Sequence, residues 1–298
     1  MCGIVGLFLK DKSLEPRLGA MLTDMLITMT DRGPDSAGIA IYGNDADSKT
    51  KLTIQSDKPA TDFADLDKEL SQATNARISI RLKDTHAVLE FSEKREDEIR
   101  DALALIRPSI RIMSAGDVIE IYKEVGLPKD VAKRFKLSQM SGTHGIGHTR
   151  MATESAITTM GAHPFSTGSD QCLVHNGSLS NHNSLRRKLI RDGMKFETEN
   201  DTEVAAAYLS YKMKHGSNLG EALTSSLDDL DGFFTFVVGT KDGFGVVRDP
   251  IACKPAVMAE TDQYVAFGSE YRALVNLPDI ENARVWEPEP ATVYFWEH

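Results

Sequence analysis

Cysteine is scarce in this 298-residue chain: only Cys2, Cys172 and Cys253 occur. An odd, sparse set without ligand-like spacing excludes a disulfide framework and argues against a zinc site, so a reducing cytoplasm fits best. Basic excess is also missing. The net charge is −10, which excludes the electrostatic footprint of a nucleic-acid-binding or anionic-membrane protein. No apolar run approaches membrane-spanning length, and the short apolar N-terminal stretch lacks a basic leader, so no signal peptide is expected. Internal repeats and low-complexity tracts are absent. What remains is enough apolar sequence, 41% of the chain, for one large domain or two modest ones.

Organisation emerges from hydrophobic spacing. Ile4 to Leu9 reads as a short buried strand. Leu18, Met21, Leu22, Met25, Leu26 and Met29 recur on one face of a helix, with Pro16 near its start. Gly33 and Pro34 break it, and Ile39 to Tyr42 resumes as a strand. Asn44 to Gln72 is polar and without period, a long surface excursion. Ile78 to Phe91 gives two strands, Glu93 to Ile106 a helix, Ile110–Met113 and Val118–Tyr122 further strands, and Pro128–Phe135 a short helix. Residues 45–141 together make an inserted α+β lobe. Beyond His144 come short strands and turns: Cys172-Leu173-Val174 runs as a strand into a turn at His175-Asn176-Gly177. Helices follow over Asn181–Asp192 and Asp201–Lys214. Four short strands lie between Phe233 and Gly268. Clustered strands preceded by two helices predict an α+β sandwich rather than a doubly wound fold.

The chemistry begins at the second residue. If Met1 is removed, Cys2 becomes the amino terminus and carries a thiol and a free amine together. The amine then serves as the base for the thiol, because the two titrate near ~8 and ~8.5. A mature chain that kept Met1 would leave Cys2 without that base. Acyl transfer further needs an oxyanion hole, a charge clamp and a brace for the terminus. Asn176-Gly177 reads either as a side-chain and backbone donor pair for an oxyanion or as a tight turn. Arg150, ending Gly147-His148-Thr149-Arg150, reads either as a bidentate carboxylate grip or as a surface ion pair. Asp201, in Asn200-Asp201-Thr202-Glu203, either caps a helix or accepts from a substrate α-ammonium; both hold if Asn200 does the capping. Arg32 and Asp35, as a buried pair, would brace the loop beside Cys2, although a plain turn explains Gly33-Pro34 equally. His148, His163 and His175 sit on separate segments without carboxylate spacing, which argues against a metal.

Taken in order, Cys2-Gly3-Ile4, Arg32-Gly33-Pro34-Asp35-Ser36-Ala37-Gly38, Gly147-His148-Thr149-Arg150, Ala162-His163-Pro164, His175-Asn176-Gly177, Asn200-Asp201-Thr202-Glu203, Arg248-Asp249-Pro250 and Ser269-Glu270 resemble the class II glutamine amidotransferases, which are N-terminal nucleophile hydrolases. The match covers residues 2–43 and 144–275 and makes residues 2–298 one amidotransferase domain containing the lobe. The resemblance implies a four-layer αββα sandwich of two antiparallel sheets. It implies that Cys2 attacks the side-chain amide of glutamine, that Asn176 and Gly177 form the oxyanion hole, and that Arg150 and Asp201 hold the substrate carboxylate and ammonium. Thr153 falls where the family makes further glutamine contacts, and Arg32 and Asp35 support the site. Met151 and Glu154 depart from the family pattern. The long insertion is similar to stand-alone amidotransferase subunits of glutamate-synthase-like complexes, nearest to that of N-methylglutamate synthase (methylamine–glutamate N-methyltransferase). That resemblance implies a separate flavoprotein subunit carrying FMN and iron–sulfur clusters, with no cofactor in this chain. Two other readings stand beside the glutaminase: a catalytically silent subunit for assembly or ligand sensing, and a terminal-cysteine hydrolase of another amide.

Overall fold

The computed structural model describes residues 2–43, 49–92, 95–152 and 156–298. In chain order its first half runs β1 (Gly3–Leu9), α1 (Leu18–Thr28), β2 (Ser36–Tyr42), β3 (Lys49–Gln55), α2 (Pro59–Asp62), α3 (Leu66–Thr74), β4 (Ile78–Lys83), β5 (His86–Ser92), α4 (Glu96–Ile106), β6 (Arg111–Gly116), β7 (Ile119–Val125) and α5 (Pro128–Arg134). The second half runs β8 (His144–Arg150), β9 (Phe165–Gly168), β10 (Gln171–Leu179), α6 (His182–Arg191), α7 (Asp201–Lys214), α8 (Leu219–Asp229), β11 (Gly232–Gly239), β12 (Gly243–Arg248), β13 (Val257–Glu260), β14 (Tyr264–Gly268), β15 (Arg284–Trp286) and β16 (Thr292–Glu297).

Two antiparallel sheets face each other, one of seven strands in the order β15-β13-β14-β1-β8-β2-β7 and one of five in the order β16-β12-β11-β10-β9. Strand alternation decides the layers. Every residue of β1 is buried, with Ile4 and Phe8 facing the other sheet's Val174, Val237 and Phe244, and Val5, Leu7 and Leu9 facing α1. The Met-rich stripe of α1 closes one outer face. Helices α6, α7 and α8 close the other, over Leu173, Phe234 and Phe236. The result is an αββα sandwich. Truncating a core aromatic such as Phe244, fully buried between the sheets, costs about 3–5 kcal/mol.

The polar stretch after Tyr42 is not a surface excursion. Of it, residues 44–48 lie outside the described residues, but Lys49–Gln55 is a strand of a third, four-stranded sheet in the order β4-β5-β3-β6, and its Leu52 and Ile54 share one core with Phe63, Leu66 and Leu70. The hydropathy pattern hides this because β3 is buried on both faces, with Lys51, Thr53 and Gln55 on the second. This lobe spans Lys49–Gly116. The next strand, β7, pairs with β2 in the main sheet. Nor is His175-Asn176-Gly177 a turn: β10 continues through it, paired with β11 as far as Leu179↔Gly232. The four late strands divide, β11 and β12 joining one sheet and β13 and β14 the other.

Candidate active site

Cys2 is half-buried at the start of β1, where the ladder Gly3↔Thr149 carries it to the end of β8. The residue is gripped by its backbone. Its carbonyl accepts from Arg32 Nε at 3.0 Å and from Asn176 Nδ2 at 3.2 Å. Its Sγ lies 4.0 Å from the Met151 carbonyl. Asn176 comes from β10 of the opposite sheet, so this contact ties the two layers together at Cys2. The following residue, Gly177, has φ +153°, and a Cβ there would sit 1.9 Å from the Phe233 carbonyl oxygen; only glycine fits. Cys172, by contrast, lies between the sheets, where burial pushes its thiol up to about 12, and it is no nucleophile.

Arg32 and Asp35 do not pair with each other. Arg32, 9% exposed, spans from Cys2 to Glu270, with Nη1 donating to Oε1 at 2.8 Å. Glu270 also receives Arg272 Nε at 2.6 Å, and the hydrogen bond from Arg32 holds its carboxyl below the usual range. Glu270 is placed by its neighbour: Ser269 Oγ accepts from Ile4 N–H, and Ser269 N–H donates to Ile4 O, both at 2.9 Å. Asp35 serves the other strand. Its Oδ2 accepts from Ala152 N–H at 2.8 Å and its N–H donates to Arg150 O at 3.1 Å. It thus fixes the backbone on both sides of Met151. Gly33 lets this loop cross β8 directly, since a Cβ would meet the Thr149 carbonyl carbon at 2.3 Å. The pairing expected from proximity in sequence fails because Arg32 ends a tight helical turn and points back to the terminus, while Asp35 already leads into β2.

Arg150 is buried at the C-terminal end of β8 and donates to Ala156 O at 3.3 Å. Asp201 opens α7, yet the cap is made by Asn200, whose side chain accepts from Thr202 N–H at 2.8 Å. The Asp201 carboxylate instead turns to β10, with Oδ2 accepting from Leu179 N–H at 3.0 Å and Oδ1 3.7 Å from His175 Nδ1. Burial pushes this carboxyl upward, but His175 and the Leu179 N–H outweigh it and hold it at about 2. Thr153 lies outside the described residues.

Beneath the site three histidines converge. Thr202 Oγ meets His163 Nε2 at 2.8 Å and His175 Nδ1 at 3.1 Å; the rings of His148 and His163 stack at 4.1 Å. Burial keeps His148 neutral, its imidazole pushed down to about 3, and pushes His163 well below its ordinary value. Among the described residues no group of His, Cys, Asp or Glu side chains is arranged to hold a metal ion. Sequence reading alone missed Glu270 as the partner of Arg32, and Thr202 as the hub between two histidines. Both stand inside quoted motifs, Glu270 in Ser269-Glu270 and Thr202 next to Asp201.

The arrangement brings the Cys2 thiol, the Asn176 amide, the Arg150 guanidinium and the Asp201 carboxylate to one end of the facing sheets. A family model for a glutamine amidotransferase domain matches residues 148–276. The chain is 73% identical over 299 residues to the glutamine amidotransferase-like protein GlxB of Rhizobium meliloti, covering 100% of this chain and 99% of that one. It is 35% identical to a putative glutamine amidotransferase of Methanothermobacter thermautotrophicus, covering 99% of each. In fold it is similar to the glutamine phosphoribosylpyrophosphate amidotransferase of B. subtilis, with a TM-score of 0.63 at 20% identity, covering 99% of this chain and 47% of that one. The chain therefore spans about half of that larger structure. Among the described residues no helix is long and apolar enough to cross a membrane. Sequence, fold and site geometry agree: the chain belongs to the class II glutamine amidotransferases, built on the N-terminal nucleophile hydrolase fold.

Proposed function

We propose that the protein is the glutaminase subunit of a larger complex. The observation that carries this reading is the 3.2 Å contact between Asn176 Nδ2 and the carbonyl of Cys2. One N–H of the amide positions the nucleophile, and the second remains for a developing oxyanion, with the Gly177 N–H beside it. The free amine of Cys2 takes the thiol proton, Sγ attacks the side-chain carbonyl carbon of glutamine, and the oxyanion collapses to a γ-glutamyl thioester as the C–N bond breaks and the Cys2 ammonium returns the proton to the substrate nitrogen, which leaves as ammonia. Water then releases glutamate and restores the thiol. Arg150 holds the substrate α-carboxylate and Asp201, ionised throughout the neutral range, its α-ammonium.

The amine goes to a separate glutamate-synthase-like flavoprotein bearing FMN and iron–sulfur clusters, as in N-methylglutamate synthase. The long insertion, shared in kind with stand-alone amidotransferase subunits, supports this finer reading. The decisive test is intact mass and ammonia release of the protein isolated from its own cells. A mass lacking Met1, with glutamine hydrolysis abolished by Cys2→Ser, is expected. Retained Met1 with no hydrolysis would leave a silent assembly subunit instead. Arg150→Lys replaces a fork by a point charge and should raise KM about tenfold with a smaller change in kcat; an unchanged KM removes Arg150 from the clamp.

A further inference from the structure

A cavity of about 660 Å³ opens between the inserted lobe and the body, and none of the proposed catalytic residues lines it. Its walls come from β6 and α4 of the lobe and from β9, α7 and the 193–198 loop of the body. The volume lies within the ~300–1,000 Å³ range of small-molecule sites.

The charges around it are sorted into two groups. The inner ones are satisfied by the protein itself. Lys123 Nζ donates to the carbonyls of Ala162 at 2.9 Å and Pro164 at 3.2 Å. Glu203 accepts from the N–H groups of Glu197 and Thr198, both at 2.8 Å, and Arg100 pairs with Glu96 at 2.7 Å. Four outer charges are not so engaged. Among the described residues, Asp97, Glu197, Lys195 and Lys214 line the cavity without a salt bridge from any of their side chains. Two are carboxylates and two are ammoniums, so the lining favours neither a simple anion nor a simple cation. Two further lining residues, Ser114 and Gln171, are 2% and 1% exposed, and each holds a buried polar atom, Oγ and Nε2, without a partner among the described residues. Unmet hydrogen-bonding capacity of that kind is uncommon in a closed wall.

We infer that this cavity is a second ligand site, for a zwitterionic α-amino acid whose ammonium and carboxylate meet the uncommitted charges of opposite sign around the lobe–body seam. Its floor reaches two segments that lie beside Asp201. Lys123 holds the Ala162–Pro164 backbone around His163, which bonds Thr202 beside Asp201. Glu203 holds the loop that ends at the Asn200 cap. A ligand there sits one layer behind the active site without entering it.

The test is equilibrium dialysis of the full-length Asp201→Asn protein, its proposed catalytic clamp disabled, against a mixture of the proteinogenic L-amino acids, with bound species read by mass spectrometry. Acetate and methylammonium serve as single-charge probes. Retention of one or a few amino acids is expected, about tenfold weaker in Asp201→Asn/Thr167→Trp, where the indole fills the half-buried rim position of Thr167. No retention, equal retention in both proteins, or equal binding of acetate or methylammonium overturns the inference. Should the tryptophan variant not fold, hydrogen exchange in the parent decides: the retained amino acid must slow exchange over residues 112–115 and 193–198, and unchanged exchange there overturns it. Retention is measured without ammonia release, so it stands or falls separately from the glutaminase reading.

Discussion

At the scale of single residues, the candidate site grips Cys2 by its carbonyl rather than by its sulfur. The two donors on Cys2 O come from separate segments of the chain, Arg32 and Asn176, and leave Sγ facing the Met151 backbone. Asn176→Ala removes both the tether and an oxyanion donor. Its kcat for glutamine hydrolysis should fall about 10²–10³-fold; a loss within tenfold would mean that Gly177 and the solvent suffice. Glu270 never reaches the substrate in this scheme. Its carboxylate neutralises a nearly buried guanidinium at 2.8 Å, and one Arg32 nitrogen, Nη2, already has no partner among the described residues. Glu270→Gln keeps a hydrogen-bond acceptor but removes the charge. The expected result is a kcat lowered about tenfold with KM little changed, and Glu270→Asp should recover part of it. A change confined to KM would place Glu270 with the substrate instead of the terminus.

At the scale of elements, the start of α7 separates a structural role from a functional one. Asn200 caps the helix, which frees Asp201 to face β10. Asn200→Ala should cost about 1 kcal/mol in urea unfolding and leave KM for glutamine unchanged; a raised KM would show that the clamp depends on the cap. Of the two uses the spacing of Asn200-Asp201-Thr202 allowed, geometry gives the cap to Asn200 and leaves the Asp201 carboxylate turned to β10. Much of the frame was legible before that: the stripe of α1, the strand from Ile4, and α7 from Asp201 to Lys214 carry plain periodic signals. Helix α8 carried one as well, since Asn218 and Glu221 form a capping box, but short polar neighbours obscured it. Strand β3 carried none. With Lys51 and Gln55 buried beside Leu52 and Ile54, hydropathy alternation vanishes, and only the completed lobe reveals the strand. The partner of Arg32 was equally hidden, because 238 residues separate it from Glu270 and only the ladder beside β1 brings them together.

At the scale of the whole molecule, the lobe is pinned to the body by buried polar contacts. Asp170, in the body, accepts N–H groups of Asp117, Val118 and Ile119, where the chain leaves the lobe for β7, at 2.9, 2.9 and 3.0 Å. Glu124 of β7 receives Thr85 from the lobe and Thr159 from the segment leading away from Arg150. Lys123, next to it, lies between these layers with its ammonium over the Phe165 ring at 4.4 Å. Burial pushes that ammonium down from 10.5 to about 8, against the opposing pull of Glu203 and Glu197. Linkage then fixes the sign. Near pH ~7 both native and unfolded chains hold the proton, and the native state bears the full cost of the buried charge. Between about pH 8 and ~10.5 the unfolded chain binds more protons than the native one, so stability rises with pH through that window. The shift of 10.5 − 8 = 2.5 corresponds to about 3 kcal/mol. Lys123→Met lacks this titration but leaves the Ala162 and Pro164 carbonyls without their donor. The difference in unfolding free energy, wild type minus Lys123→Met, should therefore grow by about 3 kcal/mol between pH ~7 and pH ~10.5, with groups common to both proteins cancelling. Urea titrations at the two pH values measure it. A difference that stays flat would mean that Lys123 titrates near its unfolded value, and that the seam between lobe and body is wetter than its carbonyl cage implies.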